Sequence, residues 1–154
     1  MTAGAVPQPG VLEIRPVKPD GRLLPADNAV LAKWVIRADP AAGTLEFTED
    51  RPLIITPART VSFPLPSSGA PNALRAVRLV RHHWVKNLNS GITWQPVFLD
   101  GGGRVLACGR RRDEPRASQL WPARIFAPLQ TLGITVTEES FDTEKLFKRA
   151  YPGA

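Results

Sequence analysis

Apolar and polar residues alternate in short runs along most of this chain, the two-residue period of half-buried β-strands. Residues 11–17, Val-Leu-Glu-Ile-Arg-Pro-Val, predict a first strand closed by Pro16 and a Pro19-Asp20-Gly21 turn. Residues 44–48, 53–55 and 60–65 are further short strand candidates, separated by Asp50, Pro52 and Pro57. Pro64 and Pro66 mark the last of these as an edge or a strand end, because proline cannot donate to a ladder. Residues 26–38 fit two patterns. Val30, Leu31, Trp34 and Val35 follow Asp27 at helical spacing, yet Trp34-Val35-Ile36 is equally good strand sequence. The turn residues Asp39, Pro40 and Gly43 favour strand for residues 33–38. Residues 74–85 predict a long strand whose faces mix Arg and His with Val, Leu and Trp, a pattern that predicts a bulge. Residues 66–71 read as an exposed loop and residues 86–91 as a polar turn.

The strongest local signal is in residues 94–109, where two apolar runs flank Asp100-Gly101-Gly102-Gly103, a hairpin signature. A helical pattern then spans residues 118–132: Leu120, Trp121, Ile125, Phe126, Leu129 and Leu132 form an apolar stripe. Ser118 can cap it, or Pro122 can take its first position, and Pro128 should kink or restart it. Gly133 suits a left-handed cap, with a strand at residues 134–136 behind it. A short second helix is predicted at residues 143–150, with Asp142 as cap and Phe141 stapled to Leu146. Short strands at close spacing point to one antiparallel sandwich or open barrel rather than βαβ units.

The 154 residues suit one domain, and a 43% apolar fraction with four Trp and six Phe supplies a core. No run of about 18 apolar residues predicts a membrane span. The first ten residues read as a frayed tail with neither a secretory nor a lipidation signal. Cys108 is the single cysteine, which excludes an intramolecular disulfide framework and fits a reducing compartment; cytoplasmic residence follows as the expectation. Arginine outnumbers lysine and Ala and Pro are abundant, a bias of GC-rich bacterial genomes. The net charge of +6 is concentrated: residues 75–124 hold ten basic against three acidic residues, the remainder ten against eleven. Arg75, Arg78, Arg81, Arg110, Arg111 and Arg112 are therefore the candidate binding residues for an anionic partner, with the last three expected together in an exposed loop. A solvated strand face and loop is the alternative reading.

The hairpin about Asp100, the helix ending Leu132-Gly133-Ile134 and the Phe141-Asp142-Thr143-Glu144 tail resemble the small pleckstrin-homology-like (PH-like) domains of GC-rich bacteria. The resemblance implies an α+β, β-rich fold: two near-orthogonal antiparallel sheets capped by a C-terminal helix. It would cover residues 11–137, after a tail at 1–10 and before a helical tail at 138–154. The phosphoinositide-binding members carry basic residues in the first loop. Here Lys18, Arg22 and Lys33 are interleaved with Asp20 and Asp27, so no ligand residues carry over.

Candidate chemistry is sparse. His82 and His83 are adjacent, and on a strand they point to opposite faces, so they cannot share a metal or a substrate. Cys108 sits between Ala107 and Gly109 late in a predicted strand, which fits a buried inert side chain better than a nucleophile. The glycines after Asp100 lead into a strand rather than a helix, unlike a phosphate-cradling loop. The expected function is a non-catalytic binding or scaffolding module without a cofactor. A protein partner is favoured, and an anionic lipid or a nucleic acid is possible. A nucleic-acid-binding protein is the alternative, since Trp84, Trp94 and Trp121 lie in the basic third, though core packing is the better account of such rings among apolar neighbours. An enzyme with an unrecognised site is the third reading.

Overall fold

The computed structural model describes residues 12–14, 34–49, 59–113, 123 and 126–154. The expected strand at 53–55, the beginning of the helical stripe with Trp121 and Ile125, and the tail at 1–10 lie outside these residues. Four strands, β1 (Leu12–Ile14), β2 (Trp34–Asp39), β3 (Thr44–Glu49) and β4 (Arg59–Pro64), form an antiparallel meander in that order. The β2–β3 turn follows from its residues: Asp39 Oδ1 accepts from the Ala41 and Ala42 amides at 3.1 and 3.2 Å, and Gly43 adopts φ +70°. That left-handed conformation is one glycine takes without a Cβ penalty. Ile36, Ala38, Leu45, Phe47 and Phe63 point to one face and are buried, the alternation of a sheet covered on one side.

The second sheet is ordered β7-β6-β5-β9, from β5 (Ala76–Lys86), β6 (Asn89–Leu99), β7 (Val105–Cys108) and β9 (Thr135–Phe141); a two-residue β8 (Arg112–Asp113) also pairs with β6. Among the described residues no strand joins the two sheets into a closed barrel. The arrangement is β-rich with a C-terminal helix, as expected, but it is not antiparallel throughout. β9 pairs parallel with β5, from Ala76↔Thr135 to His82↔Phe141. A 3-10 helix, Ala127–Leu132, leads into β9, with Pro128 in its first turn, where the missing N–H costs no bond. The sequence stripe had predicted an α-helix up to Leu132. Gly133 at φ +82° closes this turn, its amide donating to Gln130 and Leu129 carbonyls, and Thr135 N–H donates to Arg75 O at 3.0 Å to start β9. β9 continues through residue 138, where the sequence placed the start of the tail.

The bulge expected within residues 74–85 is absent. β5 and β6 pair without a shift from Ala76↔Leu99 to Lys86↔Asn89, and the turn is only Asn87-Leu88, with Asn87 at φ +57°. The mixed pattern of β5 arises because this sheet is covered on both faces. Val77 and Leu79 enter the core shared with the first sheet, whereas Val80 joins a second cluster on the other side. The bulge lies instead where β7 meets Phe98 and Leu99 of β6. Accordingly the neighbours Leu106 and Ala107 both pack on the shared core, while Val105 and Cys108 pack on the outer cluster.

Phe98 is the hub of the shared core, with ring centroids 4.8 Å from both Phe47 and Phe63 and 6.4 Å from Phe126. The outer face is covered by a short helix, α1 (Glu144–Ala150), through Phe147 and by Tyr151 after it. Its cap is Thr143, whose hydroxyl accepts from the Leu146 amide at 3.2 Å, rather than Asp142. Phe141 meets Phe147 edge-on at 5.7 Å, not Leu146, which stays exposed; the cap shift of one residue moves the staple by one.

Candidate functional site

The arginines of the basic third do not form one exposed cluster. Arg110 is half-buried: its amide donates to Glu49 Oε1, and its Nε lies 4.0 Å from Glu49 Oε2. Glu49 is fully buried, and a buried carboxylate needs such donors. Gly109 makes the approach possible, because a Cβ there would collide with the Pro96 ring and come within 2.9 Å of Glu49 Oε1. Arg111 points the opposite way, to α1, where Nη2 bonds Glu144 Oε1 at 2.6 Å. Arg112 lies in β8, opposite Trp94 of β6. Arg78 donates to Thr137 Oγ1 at 2.9 Å and lies 3.6 Å from Glu139 of β9. The Arg81 guanidinium sits 5.1 Å from the centre of the buried Trp94 ring. Arg75 is exposed, just before β5. Two of the six, Arg110 and Arg111, thus connect layers of the fold, and Arg78 and Arg81 tie neighbouring strands of the second sheet, roles their charge and spacing in the sequence did not reveal.

A polar chain crosses the outer face of the second sheet. Gln95 Nε2 donates to Gly109 O at 2.9 Å, which leaves Oε1 as the acceptor facing His82 Nε2 at 2.9 Å and Arg111 Nε at 3.4 Å. His82 is therefore the Nε2–H tautomer and donates. Its ring stands edge-on to Phe147 at 4.6 Å, and Arg111 lies 5.5 Å above that same ring. Burial pushes the His82 pKa below its ordinary value, and the Arg111 charge adds to this; the Gln95 bond and Glu144 oppose it. The Arg111 guanidinium holds the Glu144 carboxyl below the usual carboxylate range. Burial, with a bond to Glu139, pushes the Tyr151 phenol up. His83 faces solvent, as strand alternation demands, and Cys108 is partly buried against the outer cluster. Among the described residues no group of three or more His, Cys, Asp or Glu could hold a metal ion, and no helix is long and apolar enough to cross a membrane.

The feature the sequence reading missed is the end of the β5–β6 hairpin. β9 pairs with β5 only as far as His82, and β8 with β6 only as far as Thr93. Among the described residues, 83–86 and 89–92 pair only with each other, so they stand out as a two-stranded arm. The arm exposes Leu88 fully (102%), Val85 at 79% and Trp84 at 41%. Large apolar side chains in such a place are informative because the other aromatic rings among the described residues are buried, Phe141 partly. The Trp84 indole lies across its cross-strand partner Gly91, where any Cβ would run into the ring. The signal was present: Leu88 in an otherwise polar turn, and no acidic residue anywhere in 75–99. Comparison with protein-family models, with curated proteins and with solved structures finds no match to this chain.

Proposed function

We propose that this chain is a non-catalytic binding or scaffolding module of PH-like kind, which engages its partner through the β5–β6 arm and the basic field around it. The single observation that carries this reading is the exposure of Trp84, Val85 and Leu88 on an arm that projects past β9 and, among the described residues, pairs only with itself. A rigid sheet that carries a projecting contact element is the usual way a scaffold presents a binding surface. Arg75 and Lys86, with the absence of acids in 75–99, give the hairpin a positive field that favours an anionic or acid-rimmed partner. The module acts in the cytoplasm, at the periphery of a larger complex or a membrane. Support for the nucleic-acid alternative comes from Trp84, a basic-region ring open for stacking; Trp94 is buried and offers none.

The test is a low-salt capture from native-host extract with the parent chain and with a Val85→Ser/Leu88→Ser double variant side by side. A partner retained by the parent and lost by the variant supports the module. Equal retention by both removes the arm from the function.

A further inference from the structure

We infer that the β5–β6 arm docks end-on into the headgroup layer of an anionic lipid bilayer. This inference rests on the binding-module reading above and names its partner. Four features of the arm carry it. Trp84 and Val85 are neighbours in one strand and so project from opposite faces of the hairpin, while Leu88 is at its turn. The apolar surface therefore wraps the tip instead of forming one flat patch. A flat protein surface could cover only one side of it, whereas a bilayer interface closes around it.

The second feature is length. From Trp84 to the turn, the strand rise gives about 10 Å, close to the depth to which interfacial elements enter the headgroup and acyl boundary. The third is polarity. Asn87, Asn89 and Ser90 lie among the apolar residues, and backbone groups on the outer edges of the arm have no strand partner among the described residues. Such groups need water or headgroups and hold the arm at the boundary, out of the hydrocarbon. Trp84 then lies at the depth tryptophan favours in membranes.

The fourth is charge. Lys86 is exposed beside the tip, with no acid in 75–99 to repel anionic headgroups. Aliphatic Val85 and Leu88 also decide against a nucleic acid, whose phosphate and ribose surface offers no partner for two fully presented aliphatic chains.

The experiment is co-sedimentation of the full chain with vesicles of phosphatidylcholine containing phosphatidylglycerol, and with vesicles of phosphatidylcholine alone. Brominated acyl chains report the depth of Trp84 by fluorescence quenching, with Trp84→Phe identifying its share of the signal. The parent chain is expected to bind the anionic vesicles and to bind the neutral ones at least tenfold more weakly. Val85→Ser/Leu88→Ser should lower anionic binding about tenfold, the weight of roughly 1.4 kcal/mol, with an unchanged melting temperature. Quenching should vanish in Trp84→Phe. No binding to anionic vesicles, binding that the double variant does not alter, or binding to a single-stranded oligonucleotide in place of vesicles each overturns the inference. If vesicles fail but the low-salt capture still depends on the arm, the module reading stands and only the lipid is wrong. If both lose their dependence on the arm, the module reading falls as well.

Discussion

The two sheets of this protein solve different problems with the same kind of strand. The first sheet buries one face and leaves the other to solvent, so β3 alternates between buried Leu45 and Phe47 and exposed Thr44 and Glu46. The second is covered twice, by the first sheet on one side and by α1 on the other, and its polar residues must find partners inside. Two of them do so in pairs that bridge layers, Arg110 with Glu49 of β3 and Arg111 with Glu144 of α1, while Arg78 meets Glu139 of β9 within the sheet. Where β5 and β6 pair only with each other among the described residues, Trp84, Val85 and Leu88 are exposed beside polar Lys86, Asn87 and Asn89. The contrast teaches that in this fold a concentration of arginine marks the joints between layers and between neighbouring strands. The candidate contact surface is marked by unpartnered hydrophobes.

The shared core gives the largest expected effect. Phe126 is fully buried and packs within 6.0 to 6.4 Å, ring centre to ring centre, of Phe47 in the first sheet and Phe98 in the second. Phe126→Ala should destabilise the protein by about 3–5 kcal/mol, read by denaturant unfolding. A midpoint within error of the parent would show that this segment does not bind the sheets together.

Next comes the joint formed by the consecutive arginines. Arg110→Ser/Arg111→Ser removes the guanidinium beside buried Glu49 and the tie from the second sheet to α1. A loss of about 1–3 kcal/mol is expected, since an ion partner of a buried carboxylate is removed. Exposed loop residues would give only about 0.5 kcal/mol or less each. A melting temperature equal to that of the parent would return these arginines to the role of a solvated loop.

A smaller effect depends on pH. In the folded state His82 titrates below its ordinary value near 6.5, so below that value the unfolded chain binds more protons than the folded one. Stability contributed by neutral His82 is then present at and above the ordinary value. It is lost as pH falls from there through the lower folded value. Glu144 shifts in the carboxylate range, further into acid, so the two are separable. Unfolding free energy measured from pH 7.5 to 5.5 should decline in the parent and decline less in His82→Phe, which keeps a ring against Phe147. Identical slopes would mean that His82 is not held neutral by its burial.

Most strands, their turns and the last helix were legible in the chain because each is local, although the helix cap is Thr143 where Asp142 was expected and Arg112–Asp113 pairs as a strand. Asp39 with Gly43, Asp100 with its glycines and Gly133 specify turns by their own conformational preferences. The antiparallel hairpins follow from those turns. What was not legible depends on partners distant in sequence. Nothing in residues 134–136 says that the strand will run to Phe141 or lie parallel to β5. The mixed faces of β5 read as a bulge because its second cover, α1, comes some sixty residues later. Likewise Glu49 as the partner of Arg110 is a contact across 61 residues, and only the folded chain shows that Arg110 and Arg111 face different layers. The arm was hidden for another reason. Its length past the parallel pairing is set by where β9 stops, and that end is not written in residues 83–92.

With the arm as the proposed contact surface, the two ends of one hairpin are functionally unequal. Leu88 at the tip and Arg75 at the base are both exposed and lie at opposite ends of β5. A photo-crosslinking amino acid placed at each position in turn, with the full chain expressed in its native host, compares them directly. Substitution at either exposed site should leave the melting temperature within about a degree or two of the parent. The account predicts covalent adducts from position 88 and few or none from position 75. Adducts from position 75 with none from position 88 would contradict it.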